Sequence, residues 1–231
     1  MKKKFWNWTL DEDGRRKIII DGEIASESWY EDDVTPALFR EELNSGTGDV
    51  ILYINSPGGD CFAASQIYTM LMEYKGSVTV RIDGIAASAA SVIAMAGGIV
   101  EMSPTAMMMI HNPATMAWGD VSDMQKAIDV LNEVKESIIN AYELKTGLSR
   151  AKLSRLMNEE TWMNARKARD LGFCDRIMGD SDSAAEPVAF SPRSAEDALR
   201  RKLVAKYGKK TNEPKGRRVD DLLTSLNNMN H

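Results

Sequence analysis

The sequence predicts an α/β fold built on a parallel sheet, and three observations carry that expectation. Val50-Ile51-Leu52-Tyr53-Ile54-Asn55 is a short continuous apolar run, the pattern of a strand buried on both faces. Segments of this kind alternate with helical periods, which implies right-handed βαβ crossovers and helices covering both faces of the sheet. Turn-forming stretches, Asp21-Gly22 and Ser56-Pro57-Gly58-Gly59-Asp60, punctuate the alternation.

The elements follow in order. Lys17-Ile18-Ile19-Ile20-Asp21-Gly22-Glu23-Ile24 reads as a first strand closed by a turn, and residues 31–43 read as a helix with Val34, Leu38 and Leu43 on its apolar side. The Val50 run is the second strand. Ala63, Ile67, Met70, Leu71 and Tyr74 then recur at helical spacing. Val78-Thr79-Val80-Arg81-Ile82 is a third strand, residues 86–95 a helix, and residues 106–110 a fourth strand. Residues 121–146 form a long helical stretch whose apolar positions include Met124, Ile128, Val130, Leu131, Val134, Ile138, Ile139 and Tyr142. Residues 148–157 and 165–171 are two shorter helices, and Phe173-Cys174-Asp175-Arg176-Ile177 resembles a last strand. From Gly179 to Pro192 the composition turns to Ser, Asp, Ala, Glu and Pro, as in linkers. Two short amphipathic segments, 195–207 and 219–226, flank the basic patches Lys209-Lys210 and Lys215-Gly216-Arg217-Arg218. The expected organisation is a folded domain over residues 1–180 and a linker with a short helical or disordered tail over 181–231.

Composition narrows the function classes. A chain of 231 residues is long enough for one α/β domain with an appendage. Its net charge of −5 argues against nucleic acid as the main partner. Two cysteines, Cys61 and Cys174, make neither a disulfide framework nor a zinc spacing, which fits a reducing compartment. Met1-Lys2-Lys3-Lys4 begins like a signal peptide, but Trp6-Asn7-Trp8 leads into Asp11-Glu12-Asp13 rather than an apolar segment. No apolar run reaches membrane-spanning length. The expectation is a cytoplasmic protein with no membrane or nucleic-acid partner and no metal or cofactor.

The scarcity of histidine sharpens the search for chemistry. There are two, and His231 is the last residue. His111, in Met109-Ile110-His111-Asn112-Pro113, is therefore nearly the sole imidazole available for proton transfer near neutral pH. Upstream, Gly84-Ile85-Ala86-Ala87-Ser88-Ala89-Ala90-Ser91 sets a serine among small residues where a strand gives way to a helix. The first turn of a helix has N–H groups without intrahelical partners, and its dipole favours negative charge. Asn55-Ser56-Pro57-Gly58-Gly59 follows a third strand end, where adjacent glycines can turn backbone N–H groups outward. Ligands of open parallel sheets bind at the carboxyl ends of strands. Taken singly, Ser88 and Ser91 would be small fillers of a helix contact, His111 a backbone-bonded histidine and Pro-Gly-Gly an ordinary turn. Jointly they read as a serine nucleophile, its base and a donor loop around one crevice.

These residues also carry a resemblance. Tyr53-Ile54-Asn55-Ser56-Pro57-Gly58-Gly59, Gly84-Ile85-Ala86-Ala87-Ser88-Ala89-Ala90, Met109-Ile110-His111-Asn112-Pro113 and residues 165–175 occur in the order found in the ClpP family of serine peptidases. The resemblance covers about residues 17 to 178 and implies a ClpP/crotonase-like fold with a protruding handle helix, self-assembly into rings and hydrolysis of peptide or protein substrates. By position it implies Ser88 as nucleophile, His111 as general base, and the amides of Gly58 and Ala89 as oxyanion hole. Counting back without gaps from Gly172-Phe173-Cys174-Asp175 sets Glu159-Glu160 on the family's Arg-Asp pair, with Glu160 on the catalytic aspartate. That substitution and the extension 179–231 resemble the ClpP-related head-maturation proteases of tailed phages and prophages, whose partners would be capsid or scaffold proteins. The alternatives are a general proteolytic subunit working with an ATPase, a crotonase-type acyl-CoA enzyme, and an inactive ring scaffold.

Overall fold

A mixed sheet with its helices organises the chain in a computed structural model that describes residues 6–10, 15–25 and 36–180. The strands are β1 (Trp6–Leu10), β2 (Arg16–Asp21), β3 (Val50–Ser56), β4 (Val78–Ala87), β5 (Ile99–Met102), β6 (Met107–Ile110), β7 (Thr161–Asn164) and β8 (Arg176–Ile177). The helices are α1 (Pro36–Asn44), α2 (Cys61–Met72), α3 (Ala89–Ala94), α4 (Val121–Thr146), α5 (Arg150–Asn158) and α6 (Ala165–Asp170). The order β1-β2-β3-β4-β5-β8 forms the main path, and β6 branches from β4 to carry β7. The pairs β2–β3, β3–β4, β4–β5, β4–β6 and β5–β8 are parallel, whereas β1 and β7 run antiparallel to their neighbours. The α/β class expected from the sequence is the fold observed.

The central strands are buried as their sequences demand. Leu52, Ile54, Val80 and Ile82 are fully inaccessible, and they share one core with Ile67 of α2, Ile93 of α3 and Phe173. The irregular feature of the sheet is β4. Its first half, residues 79–82, pairs with β5, and its second half, residues 85–87, pairs with β6. Ala86 and Ala87, expected to begin a helix, belong to this strand, and between its halves lies Asp83-Gly84, beyond the strand end expected at Ile82. Here it continues the strand while the partner changes, a position where glycine within a strand is expected. The β3–β4 register shifts at the same level, between Ile54 and Ser56. Strand β4 thus reaches past β5 and delivers its carboxyl end beside the carboxyl end of β6.

Helix α4 starts and stops where the sequence places it, because both ends carry caps. Asp120 accepts from the backbone of Ser122 and Asp123 in a reciprocal capping box, and Gly147 closes the helix in the left-handed conformation. Only Ile138, Ile139, Ala141 and Tyr142 of this helix are buried. Val121, Ile128 and Val130 lie exposed, so the amino-terminal half stands away from the core as the handle expectation required. Strands β1, β5 and β7 were not foreseen. Helix α1 opens with Pro36, an unstrained first helical residue. The earlier start expected for it at 31 lies outside the described residues, as do the tail segments after 180.

Candidate active site

The partner change in β4 is what assembles the site. Ala87 pairs with Met109, and the next N–H, that of Ser88, donates to the Met109 carbonyl at 2.9 Å. The chain then turns into α3, with Ser88 at φ 53°, ψ −126°. A non-glycine residue with positive φ is strained by roughly 1–3 kcal/mol and persists only where its surroundings hold it. The turn presents the Ser88 side chain towards the end of β6, where His111 follows Ile110. His111 Nε2 lies 2.7 Å from Ser88 Oγ. A serine oxygen and an imidazole nitrogen within hydrogen-bond reach meet the first geometric requirement of a nucleophile and its base.

The glycine loop reaches the same point from β3. A side chain on Gly58 would meet the Ala87 carbonyl and Ser88 Cβ at 2.7 Å and the Ala89 nitrogen at 3.0 Å. Gly58 also has a φ of 104°. Only glycine allows this backbone to lie against the serine turn. Its own N–H, however, donates to the buried Ser56 Oγ at 3.1 Å. Its carbonyl accepts from Ile24 N–H at 2.8 Å. Because a trans peptide points its C=O and N–H in opposite directions, the Gly59 N–H faces away from Ile24. Among the described residues neither the Gly59 N–H nor that of Ala89, the first of α3, has an acceptor.

The sequence that forms these strand ends and loops matches a known family. The sequence profile of the Clp protease family fits residues 9–181. The chain belongs to the Clp protease family. It is similar to the ATP-dependent Clp protease proteolytic subunit of Bacteroides fragilis, 30% identical over 143 residues, which are 61% of this chain and 69% of that protein. It is 29% identical over 150 residues to subunit 1 of the Chlamydia abortus protease, 63% of this chain and 78% of the relative. The Mesostigma viride subunit is 34% identical over 141 residues, 59% and 61% of the two chains.

The third position expected of this Clp protease relative is where the geometry departs. Strands β6 and β7 end their ladder at Ile110 opposite Thr161, so His111 and Glu160 face each other one step beyond it. Glu160 is exposed, has φ 47°, and its carboxylate accepts from Trp162 Nε1 at 3.2 Å. Among the described residues His111 Nδ1 has no hydrogen-bond partner. Glu159 is the exposed C-cap of α5. Asp120 and Asp123, the other carboxylates after His111, serve the α4 capping box, and Asp123 also binds Lys126. The residue after the histidine is anchored instead. Asn112 Nδ2 donates to Asn158 Oδ1 at 3.0 Å, an oxygen that also accepts from Lys135 Nζ at 2.6 Å.

A cleft borders the site. A cavity of about 410 Å³ lies between Gly59–Phe62, Pro113–Met116 and the α4 face from Lys126 to Val134. A second, of about 480 Å³, lies between α2 and α4. Phe62, 65% exposed, lines both. Cys61 at the same helix start is no competing nucleophile. Burial, reinforced by the neighbouring Asp60 charge, pushes its thiol above the usual range and keeps it protonated.

Proposed function

We propose that this chain is a serine endopeptidase in which Ser88 is the nucleophile and His111 the general base. The observation that carries the reading is the 2.7 Å contact between Ser88 Oγ and His111 Nε2 beside two amides that have no acceptor among the described residues. With its proton on Nδ1, the imidazole accepts the hydroxyl proton at Nε2 as Oγ attacks the scissile carbonyl. The negative charge that develops on the substrate oxygen is met by the N–H groups of Ala89 and Gly59. Gly59 replaces Gly58 in this role because the Gly58 N–H is already donated to Ser56 Oγ. Such preorganised donors act where charge develops, without reorganisation at the moment of reaction. Collapse of the tetrahedral intermediate breaks the C–N bond, and the imidazolium returns its proton to the departing amine. Water, deprotonated by His111, then hydrolyses the acyl-enzyme. The cleft beside Phe62 receives substrate side chains. The exposed apolar half of α4 favours a homo-oligomer.

The substrates in this reading are capsid or scaffold proteins of a phage, processed in the cytoplasm. Support comes from the glutamate at the third position and from the chain that continues past Asp180. A general proteolytic subunit fed by an ATPase is the second reading, favoured by the names of the relatives. Labelling by a fluorophosphonate, lost in Ser88→Ala, tests the chemistry. A fully folded Ser88→Ala variant with parent-like peptide turnover would refute it. Cleavage of purified capsid precursors without nucleotide supports the first substrate class, and cleavage only with an ATP-driven unfoldase supports the second.

A further inference from the structure

Two hydroxyls that take no part in the proposed chemistry lie directly behind the serine turn. Ser91 of α3 is wholly inaccessible, and Tyr142, reaching across from α4, is 1% exposed. Ser91 Oγ donates to the Ser88 carbonyl at 2.5 Å, and Ser91 N–H donates to the same oxygen at 2.9 Å. A hydroxyl has one proton to give. The 2.8 Å contact between Ser91 Oγ and Tyr142 OH therefore has the phenol as donor. The ring of Tyr142 packs edge-on against Phe173, with centroids 5.4 Å apart, which fixes where its hydroxyl points. Burial holds the phenol above its usual range, so it remains a donor at neutral pH.

The chain of donors ends on the one peptide that matters most for the oxyanion. The Ser88 carbonyl and the Ala89 N–H belong to the same planar, trans unit and point in opposite directions. Pinning the oxygen inward, towards Ser91 and Tyr142, turns the nitrogen outward. Gly58 lies against that nitrogen, so its outward side is the crevice between the glycine loop and the serine turn. The ψ of Ser88, −126°, is the torsion that rotates this peptide, and it accompanies a strained φ of 53°. A turn in that conformation relaxes unless something holds it. We propose that Tyr142 and Ser91 are positioning residues whose hydroxyls lock the Ser88–Ala89 peptide and so aim the Ala89 N–H at the substrate oxyanion. The inference rests on the roles given above to Ser88 and Ala89.

The test compares Tyr142→Phe, Ser91→Ala and the double variant in the full chain, using a short fluorogenic peptide. Loss of one oxyanion donor costs about 10²–10³ in kcat, and a misaimed donor costs part of that. Expected are a kcat about 10-fold lower for Tyr142→Phe and about 100-fold lower for Ser91→Ala, with KM within about twofold of the parent. Affinity for a peptide aldehyde, which forms a tetrahedral adduct, falls in step with kcat/KM, while affinity for an unreactive competing peptide holds. Ser91→Ala leaves the Tyr142 hydroxyl buried without an acceptor, so its melting temperature falls. The double variant removes that stranded group, and its melting temperature recovers while kcat stays low. Recovery of kcat together with stability in the double variant would make the pair merely structural and overturn the proposal. Parent-like kcat in Tyr142→Phe overturns it too, and that substitution keeps the ring and the fold. If Ser88→Ala retains turnover, the nucleophile assignment fails first and this inference falls with it. Loss of turnover in Ser88→Ala with parent-like Tyr142→Phe rejects this inference alone.

Discussion

Replacing Gly58 by alanine should disable the site while leaving its side chains in place. The added Cβ would stand 2.7 Å from the Ala87 carbonyl and from Ser88 Cβ, where ordinary contact begins at 3.4 Å. The loop must therefore retreat by about 0.7 Å, and all three obstructing groups are backbone or Cβ atoms that cannot rotate aside. A φ of 104° adds a backbone cost that alanine bears and glycine does not. That conformation alone costs roughly 1–3 kcal/mol, and overpacking adds about 1–3 kcal/mol. Displacing a catalytic element by about 1 Å lowers the rate by about 10²-fold, so kcat/KM should fall by about that factor. The assay is peptide turnover and fluorophosphonate labelling, read against the melting temperature. Labelling should slow along with turnover, because both need the oxyanion donors, and the variant should melt earlier. A Gly58→Ala protein with parent-like turnover would show that the loop does not touch the serine turn, and the donor geometry argued above would be wrong.

Four further outcomes follow from the same contacts. His111→Ala should be as inactive as Ser88→Ala, because a nucleophile and its base act as a unit. Glu160→Gln should change turnover strongly if the carboxylate swings from Trp162 to His111 during reaction, and Glu159→Gln should be neutral; unchanged kcat in Glu160→Gln would leave a two-residue mechanism. Asp120→Ala removes the carboxylate that accepts from the Ser122 and Asp123 N–H groups and should cost about 1 kcal/mol, read as faster hydrogen exchange at the first turn of α4. The folded state holds the Tyr142 proton more tightly than the unfolded chain does, so its contribution is intact below the ordinary phenol range and lost above it. Stability should therefore decline above about pH 10, less steeply in Tyr142→Phe, as followed by denaturant titration.

Much of this arrangement is written locally in the sequence, and the rest depends on partners. Helix α4 was legible from its apolar spacing, and the caps that fix its ends, Asp120 with Asp123 and Gly147, are short-range features of the same segment. His111 stood out as one of two histidines and Ser88 as a serine among small residues at a strand end, and the structure brings the two side chains within 2.7 Å. Strand β7 was hidden because Thr161–Asn164 is four residues between two helices, and only pairing with β6 makes it a strand. The full length of β4 was hidden for a related reason. Asp83-Gly84 has turn composition, and its extended form follows from the change of partner from β5 to β6. Ser91 looked like a small filler and Tyr142 like one more apolar position on α4. The single phenol in an otherwise aliphatic stripe was the available signal, but nothing local pairs it with a serine 51 residues earlier.

The same distinction bears on the third carboxylate of the proposed site. In the proposed reading, Ser88, its turn and the amides of Ala89 and Gly59 are held by main-chain geometry: the β4–β6 pairing, the Gly58 approach and the hydrogen bonds on the Ser88 carbonyl. Each of these fails if one backbone segment moves, so each is tightly specified. A third member at Glu160 would come instead from a side chain on the short turn between α5 and β7, one step past the end of a ladder. A carboxylate there fixes the imidazole tautomer and stabilises the imidazolium, but it touches no reacting atom. A glutamate has one more methylene than aspartate and one more torsion with which to find an alternative donor. Trp162 Nε1 is such a donor, and it holds Glu160 in this structure. The chemistry can tolerate that looseness because the amides and the serine–histidine contact retain rate acceleration without a third member. If Glu160 does serve His111 it must first leave the Trp162 indole, and the Glu160→Gln comparison decides whether that exchange takes place.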